Sequence, residues 1–187
     1  FDDIQVYPDL SNRKALVRMN VKSSSAAKGE ITLSAESFNT DTRHKVAPVQ
    51  QTFRIQSGDN RVEMELPMGK EFLTWDEFSP ALYKLTAKLT NGKQTDTQQV
   101  QFGMRDFKIE GKWFYVNGRK TMLRGTVENC DFPLTGYAPM DVASWERVFR
   151  ICRNYGLNHM RFHSFCPPEA AFIAADLVGF YLQPEGP

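Results

Sequence analysis

Three polar side chains near the C-terminal end carry the most chemistry per residue. In "LNHMRFH", Arg161 and His163 are two positions apart and share strand parity, so both point to the same side of a strand. Glu185 closes the next apolar run, "FYLQPE". A guanidinium and an imidazole side by side can hydrogen-bond hydroxyl groups or orient a carboxylate. The alternative for Arg161 is a structural salt bridge. For Glu185 it is a carboxylate paired with Arg161 or another arginine, and for His163 a satisfied structural histidine. Upstream, the turn-rich loop Thr126–Met140 holds Asn129 and Asp131, which suit hydroxyl contacts or loop capping. Tyr137 and Phe165 can form an aromatic wall or pack in the core.

Other chemistries lack their residues. Three histidines without H-E-x-x-H, and three cysteines without C-x-x-C, give no metal-ligand spacing, so no metal is expected. The cysteines read as small buried thiols. G-x-S-x-G and a Gly-rich phosphate loop are missing, and no cofactor is expected. Net charge is +1 without a basic tract, so neither nucleic acid nor a membrane is an expected partner. Phe1 in place of Met fits a piece of a longer protein.

The elements that must position these residues fall into two halves. Up to about residue 106 the pattern has period two: Val62, Met64 and Leu66 alternate with Arg61, Glu63 and Glu65, and Tyr83, Leu85, Ala87 and Leu89 with Lys84, Thr86, Lys88 and Thr90. About seven such runs predict an antiparallel β-sandwich of immunoglobulin-like type over 1–106. Beyond it, Asn117-Gly118 marks a hairpin. Trp145, Val148, Phe149, Cys152 and Tyr155 then share one helical face, with Asp141 as N-cap and Gly156 after the C-cap. Pro168 opens a second helix that packs through Ala171, Phe172 and Ala175 and ends at Gly179. Strands are expected at Thr121–Gly125, at "LNHMRFH" and at "FYLQPE". Strand, helix, strand, helix, strand implies parallel strands. A (β/α)8 barrel takes about 250 residues, so 107–187 would be the N-terminal part of an incomplete TIM barrel. The fold class expected is therefore mainly β: an immunoglobulin-like sandwich followed by a truncated barrel start.

Four segments carry a family resemblance. They are "W…SPALYKLTAKL" (Trp75, Ser79 to Leu89), "QFGMRDFKIEGKWFYVNGRKTMLRG", "YGLNHMRFHSF" and "AADLVGFYLQPEGP". In this order they resemble glycoside hydrolase family 2, the β-galactosidases, β-glucuronidases and β-mannosidases. The resemblance implies a retaining glycosidase acting on β-linked sugars, with a sugar-binding jelly roll before the sandwich and a catalytic barrel after it. The acid/base Glu and the nucleophile Glu belong to barrel strands four and seven, so no catalytic residue is expected in this chain and the fragment alone is expected to be inactive. It implies substrate-side roles for Arg161, His163, Asn129, Asp131 and Glu185, and a barrel-floor ion pair for Arg124. Glu128, Asn129, Cys130 and Asp131 stand where β-galactosidases are His-rich, which argues against a simple lactose enzyme. The order His163-Ser164-Phe165 departs from the family's Ser-His-Tyr. A periplasmic or secreted location is the family-level expectation. Exposed barrel edges predict self-association. The competing reading is a non-catalytic β-sandwich module that binds carbohydrate or protein.

Overall fold

The computed structural model describes residues 1–92 and 94–186. The chain is mainly β and divides into two compact units. The first comprises Phe1–Thr74 and Ala81–Asp106; the second comprises Trp75–Pro80 and Phe107–Pro187.

The first unit holds seven strands: β1 (Asp3–Asp9), β2 (Lys14–Ser23), β3 (Ala27–Phe38), β4 (Lys45–Ile55), β5 (Gly58–Pro67), β6 (Leu82–Asn91) and β7 (Gln94–Phe102). They form two antiparallel sheets, ordered β1-β2-β5 and β4-β3-β6-β7. Period-two patterning places the core. Ala15, Val17, Met19 and Val21 of β2 face Ile31, Leu33 and Ala35 of β3 and Leu85 and Ala87 of β6 in one buried cluster. Tyr83 marks the β5–β6 corner. Its hydroxyl accepts from the Leu73 amide at 2.9 Å, ten residues upstream, and lies 2.8 Å from His44 Nδ1, which pins this corner to the sheet. Burial pushes the Tyr83 phenol pKa up. In β4, Ala47 and Pro48 together oppose Ser34 of β3, because the register steps from Leu33↔Val49 to Ala35↔Val46. Proline cannot donate to a ladder, and this edge-strand bulge accommodates it.

The second unit opens with a small antiparallel sheet of β8 (Phe107–Glu110), β9 (Trp113–Val116) and β10 (Arg119–Thr121). Asn117 and Gly118, both at positive φ (50° and 75°), make the two-residue turn expected between β9 and β10. The parallel sheet follows: β11 (Gly125–Glu128), α1 (Val142–Asn154), β12 (His159–Phe162), α2 (Glu169–Val178) and β13 (Tyr181–Pro184), in the order β11-β12-β13. The strand expected at Thr121–Gly125 is thus displaced: Arg119–Thr121 belongs to the hairpin, and the parallel strand starts at Gly125.

The helix ends follow local chemistry. Asp141 caps α1 by accepting the Ser144 amide at 2.8 Å, and this bond holds its carboxyl below the usual range. Gly179 ends α2 in the left-handed region (φ 77°). Trp145 and Phe149 of α1 and Ala171, Ala174 and Ala175 of α2 bury against Met160, Phe162 and Phe180. The Phe149 and Phe180 rings stack at 4.9 Å. Two expected helix-face residues fall outside this core. Tyr155 sits at the C-cap and is 82% exposed, and Phe172 is 37% exposed. The cysteines also depart from expectation. Cys130 and Cys166 lie exposed in loops, and only Cys152 is part-buried, with its thiol pKa pushed up by burial.

Candidate functional site

Each parallel strand has two ends, and each end carries a polar network. At the N-terminal ends the network is saturated. Glu77, from Trp75–Pro80, accepts from Arg124 Nη2 at 3.1 Å and from Asn158 Nδ2 at 2.9 Å through the same Oε2. Asn158 Oδ1 accepts the Arg124 amide at 2.7 Å, just ahead of β11 and β12. Arg153 Nη1 donates to the carbonyls of Glu77, Val178 and Gly179, and Trp75 Nε1 donates to the Asp176 carbonyl at 2.8 Å. Together they satisfy carbonyls that α2 leaves open at its end. Glu77 is 7% exposed and Asn158 2%. Glu77, Asn158, Arg124 and Arg153 are thus engaged with one another or with backbone groups. The ion pair expected of Arg124 is present, with Glu77 as its partner.

The C-terminal ends are different. Arg161, third in β12, registers with Val127 of β11 and Gln183 of β13. Met160 and Phe162 point into the helical core, so Arg161 points to the opposite, open face. Its Nε donates to Glu185 Oε1 at 2.6 Å. The other carboxylate oxygen, Oε2, accepts the Ser164 amide at 2.9 Å. That amide bond, and then Arg161, hold the Glu185 carboxyl below its ordinary pKa. The Nη groups of Arg161 meet no acceptor among the described residues, and its side chain is 44% exposed.

Next to it, His163 Nδ1 lies 3.1 Å from Asn129 Oδ1. An amide oxygen can only accept, so in this contact Nδ1 is the donor. The His163 amide donates to the Glu128 carbonyl at 2.8 Å, joining the two loop starts. Glu128 folds its own loop: Oε2 accepts the Cys130 amide at 3.1 Å and Oε1 the Asp131 amide at 3.3 Å.

Cys130 (φ 61°) and Ser164 (φ 63°) are non-glycine residues in the left-handed region. Each is held there by a strand-end carboxylate, Glu128 and Glu185 respectively. Such strain persists only where surrounding contacts enforce it, and it gathers at functional sites.

Four of the five residues singled out from sequence therefore pair off as Arg161–Glu185 and His163–Asn129. Asp131 contributes its amide alone; its carboxylate joins neither pair among the described residues. Phe165 packs edge-on to Phe162 in the core at 5.4 Å, while Tyr137 is 64% exposed, so the two form no wall. Sequence reasoning missed Glu128 as a loop clamp and Glu77 as the partner of Arg124. Asn158 lies in the segment "YGLNHMRFHSF", but its role as a strand-start cap was not legible. Among the described residues, no group of His, Cys, Asp or Glu is placed to hold a metal ion.

The arrangement presents an open guanidinium edge, an imidazole nitrogen, an amide and fixed carboxylates on the face and ends of a parallel sheet. These groups donate to and accept from hydroxyls in fixed directions.

Residues 1–105 match the family model described as glycosyl hydrolases family 2. A putative β-glucuronidase of Formosa agariphila is 28% identical over 145 residues, 76% of this chain and 17% of that protein. A β-galactosidase of Thermoanaerobacterium thermosulfurigenes is 33% identical over 69 residues, 37% of this chain and 10% of that protein. The chain thus spans a tenth to a sixth of the length of these curated relatives. Among solved structures, a glycosyl hydrolase family 2 member from Bacteroides cellulosilyticus aligns with TM-score 0.79 and 20% identity, covering 98% of this chain and 24% of that one. A β-glucuronidase from Parabacteroides merdae aligns with TM-score 0.72 and 22% identity, covering 96% and 22%. These two structures share its fold.

Proposed function

This chain belongs to glycosyl hydrolase family 2, and we propose that it is part of a retaining glycosidase that cleaves β-linked glycosides. In this reading residues 1–106 are an immunoglobulin-like domain, and β11-α1-β12-α2-β13 opens the (β/α)8 barrel that carries catalysis. One observation carries the reading: the strained, carboxylate-clamped cluster of Arg161, Glu185, His163 and Asn129 sits toward the C-terminal ends of parallel strands. That is the end where barrel enzymes bind their substrates.

Retaining hydrolysis needs two carboxyl groups about 5 Å apart, one acid/base and one nucleophile. We assign neither to this chain. Glu185 is tied up by Arg161 and Ser164, which suits a fixed anion that orients Arg161 toward sugar hydroxyls. His163 and Asn129 would line the same wall. Two catalytic Glu residues are proposed on later strands of the longer protein, and the 187-residue chain is proposed to be inactive alone. A periplasmic or extracellular site of action fits a glycan-degrading enzyme.

The deciding experiment reads the coding sequence past Pro187 and assays both proteins on aryl β-glycosides. An Asn-Glu at the end of a fourth strand and a Glu at the end of a seventh support the reading. So do aryl release by the longer protein and silence of this chain. Hydrolysis by the 187-residue chain itself, or a longer protein without the two Glu residues, would sink it.

A further inference from the structure

A second polar surface lies far along the sequence from the strand-end cluster, on the outer face of the four-stranded sheet in the first unit. There a shallow groove of about 500 Å³ crosses all four strands. Register puts its side chains in two adjacent rows. In one, Pro48 of the β4 bulge, Ser34, Thr86 and Gln99 succeed each other across β4, β3, β6 and β7. In the other, Lys45, Glu36 and Lys84 do the same. The bulge gives this otherwise regular sheet a local bend, since two residues on β4 must fit opposite one on β3.

The charges in the groove do not cancel. Glu36 is satisfied by Arg43 Nε at 2.6 Å and by Lys45 Nζ at 4.0 Å. Lys84 has no carboxylate partner among the described residues; its ammonium lies 5.7 Å from the Phe38 ring centroid. Beside it, Gln99 Nε2 donates to Thr86 Oγ1 at 3.1 Å, which fixes the amide and leaves its carbonyl oxygen as a further acceptor. One uncompensated cation is flanked by an oriented amide and two hydroxyls. The Pro48 ring adds an apolar surface for C–H groups.

We propose that this groove binds an acidic oligosaccharide, with a uronate carboxylate on Lys84 and ring hydroxyls on Gln99, Thr86 and Ser34. The site is separate from the strand-end cluster and does not depend on it. It would hold an anionic glycan chain on the sandwich.

The test is calorimetric titration of the 187-residue chain with oligogalacturonate and with a neutral galacto-oligosaccharide of the same length. The acidic chain should bind and the neutral one only weakly. Lys84→Ala should weaken binding about tenfold, the loss expected for one charge-assisted hydrogen bond. Gln99→Ala should weaken it to a smaller extent, and Lys70→Ala not at all, all with unchanged amide spectra. No binding of the acidic chain, equal binding of the neutral one, or an equal loss in Lys70→Ala would overturn the proposal. So would binding of the acidic chain that survives Lys84→Ala undiminished.

Discussion

Asn158 donates to Glu77 Oε2 at 2.9 Å although 81 residues separate them, and both side chains are buried. The same oxygen takes Arg124, so one carboxylate anchors the starts of both β11 and β12. Glu77→Ala should therefore destabilise the second unit by about 2 kcal/mol, since it removes one acceptor shared by a buried amide and a guanidinium that otherwise bond only backbone carbonyls. Glu77→Gln keeps an acceptor and should cost roughly half as much. Hydrogen exchange is the readout. Protection should fall in β11, β12 and α2 and hold in β2, β3 and β6; an unchanged pattern would refute the anchor.

Trp75→Ala removes the Asp176 bond and the edge-on contact with Tyr181 at 5.7 Å. Loss of a fully buried indole should cost about 3–5 kcal/mol. Trp75→Phe keeps most of the volume and should cost less, which separates packing from the hydrogen bond in a denaturant titration.

The Glu185 carboxyl should report its own clamp. Its folded pKa is held below the ordinary 4.5, first by the Ser164 amide and then by Arg161. A group depressed on folding contributes stability above its unfolded value and loses it as pH falls through the lowered folded one. The acid transition of the Ser164 amide resonance should therefore be centred below 4.5. Movement centred above 4.5 would mean that the clamp does not form. Glu185→Gln should abolish the acid transition.

Gly125 pairs with His159 across β11 and β12, and a Cβ at 125 would run directly onto the His159 ring. The ring is half-buried, and burial lowers its pKa. Gly125→Ala should cost about 1–3 kcal/mol through overpacking. The double variant with His159→Ala should recover part of that loss, and a simple sum of the two single effects would show that the clash is elsewhere.

β11 and β13 are edge strands of the parallel sheet, and Val127 is 48% exposed on its open face. Unpaired edges and exposed apolar residues favour association. The 187-residue chain should therefore self-associate with rising concentration in sedimentation, and Val127→Lys should weaken this. A monomer at every concentration would count against it.

The sandwich was legible because alternation fixes which face of each strand is buried, and the seven runs reappear as β1 to β7. The helices were legible through Asp141, Gly156 and Gly179, whose side-chain or backbone preferences act locally. Strand β11 was misplaced because "TMLRGTVE" is strand-compatible throughout, and parity alone cannot choose a register. Its start is set by Asn158 capping the Arg124 amide, a contact spanning 34 residues. An arginine partner for Glu185 was legible from charge, but the choice of Arg161 was not, since parity linked Arg161 only to His163. Glu77 was not legible, because nothing local distinguishes it from a solvated loop acid between Asp76 and Phe78. The groove at Lys84 was hidden likewise: its rows exist only once β4, β3, β6 and β7 are in register.

The excursion Trp75–Pro80 bears on how such a chain can be recombined. A gene cut between residues 106 and 107 would look clean on paper, yet it would leave Trp75 and Glu77 on the wrong side. The shuffled second unit would inherit Arg124, Asn158 and the Asp176 carbonyl each lacking one partner. Donor and recipient in a domain exchange must therefore match at these two positions as well as at the junction, and six residues inside the sandwich gene segment would evolve under the constraints of its neighbour.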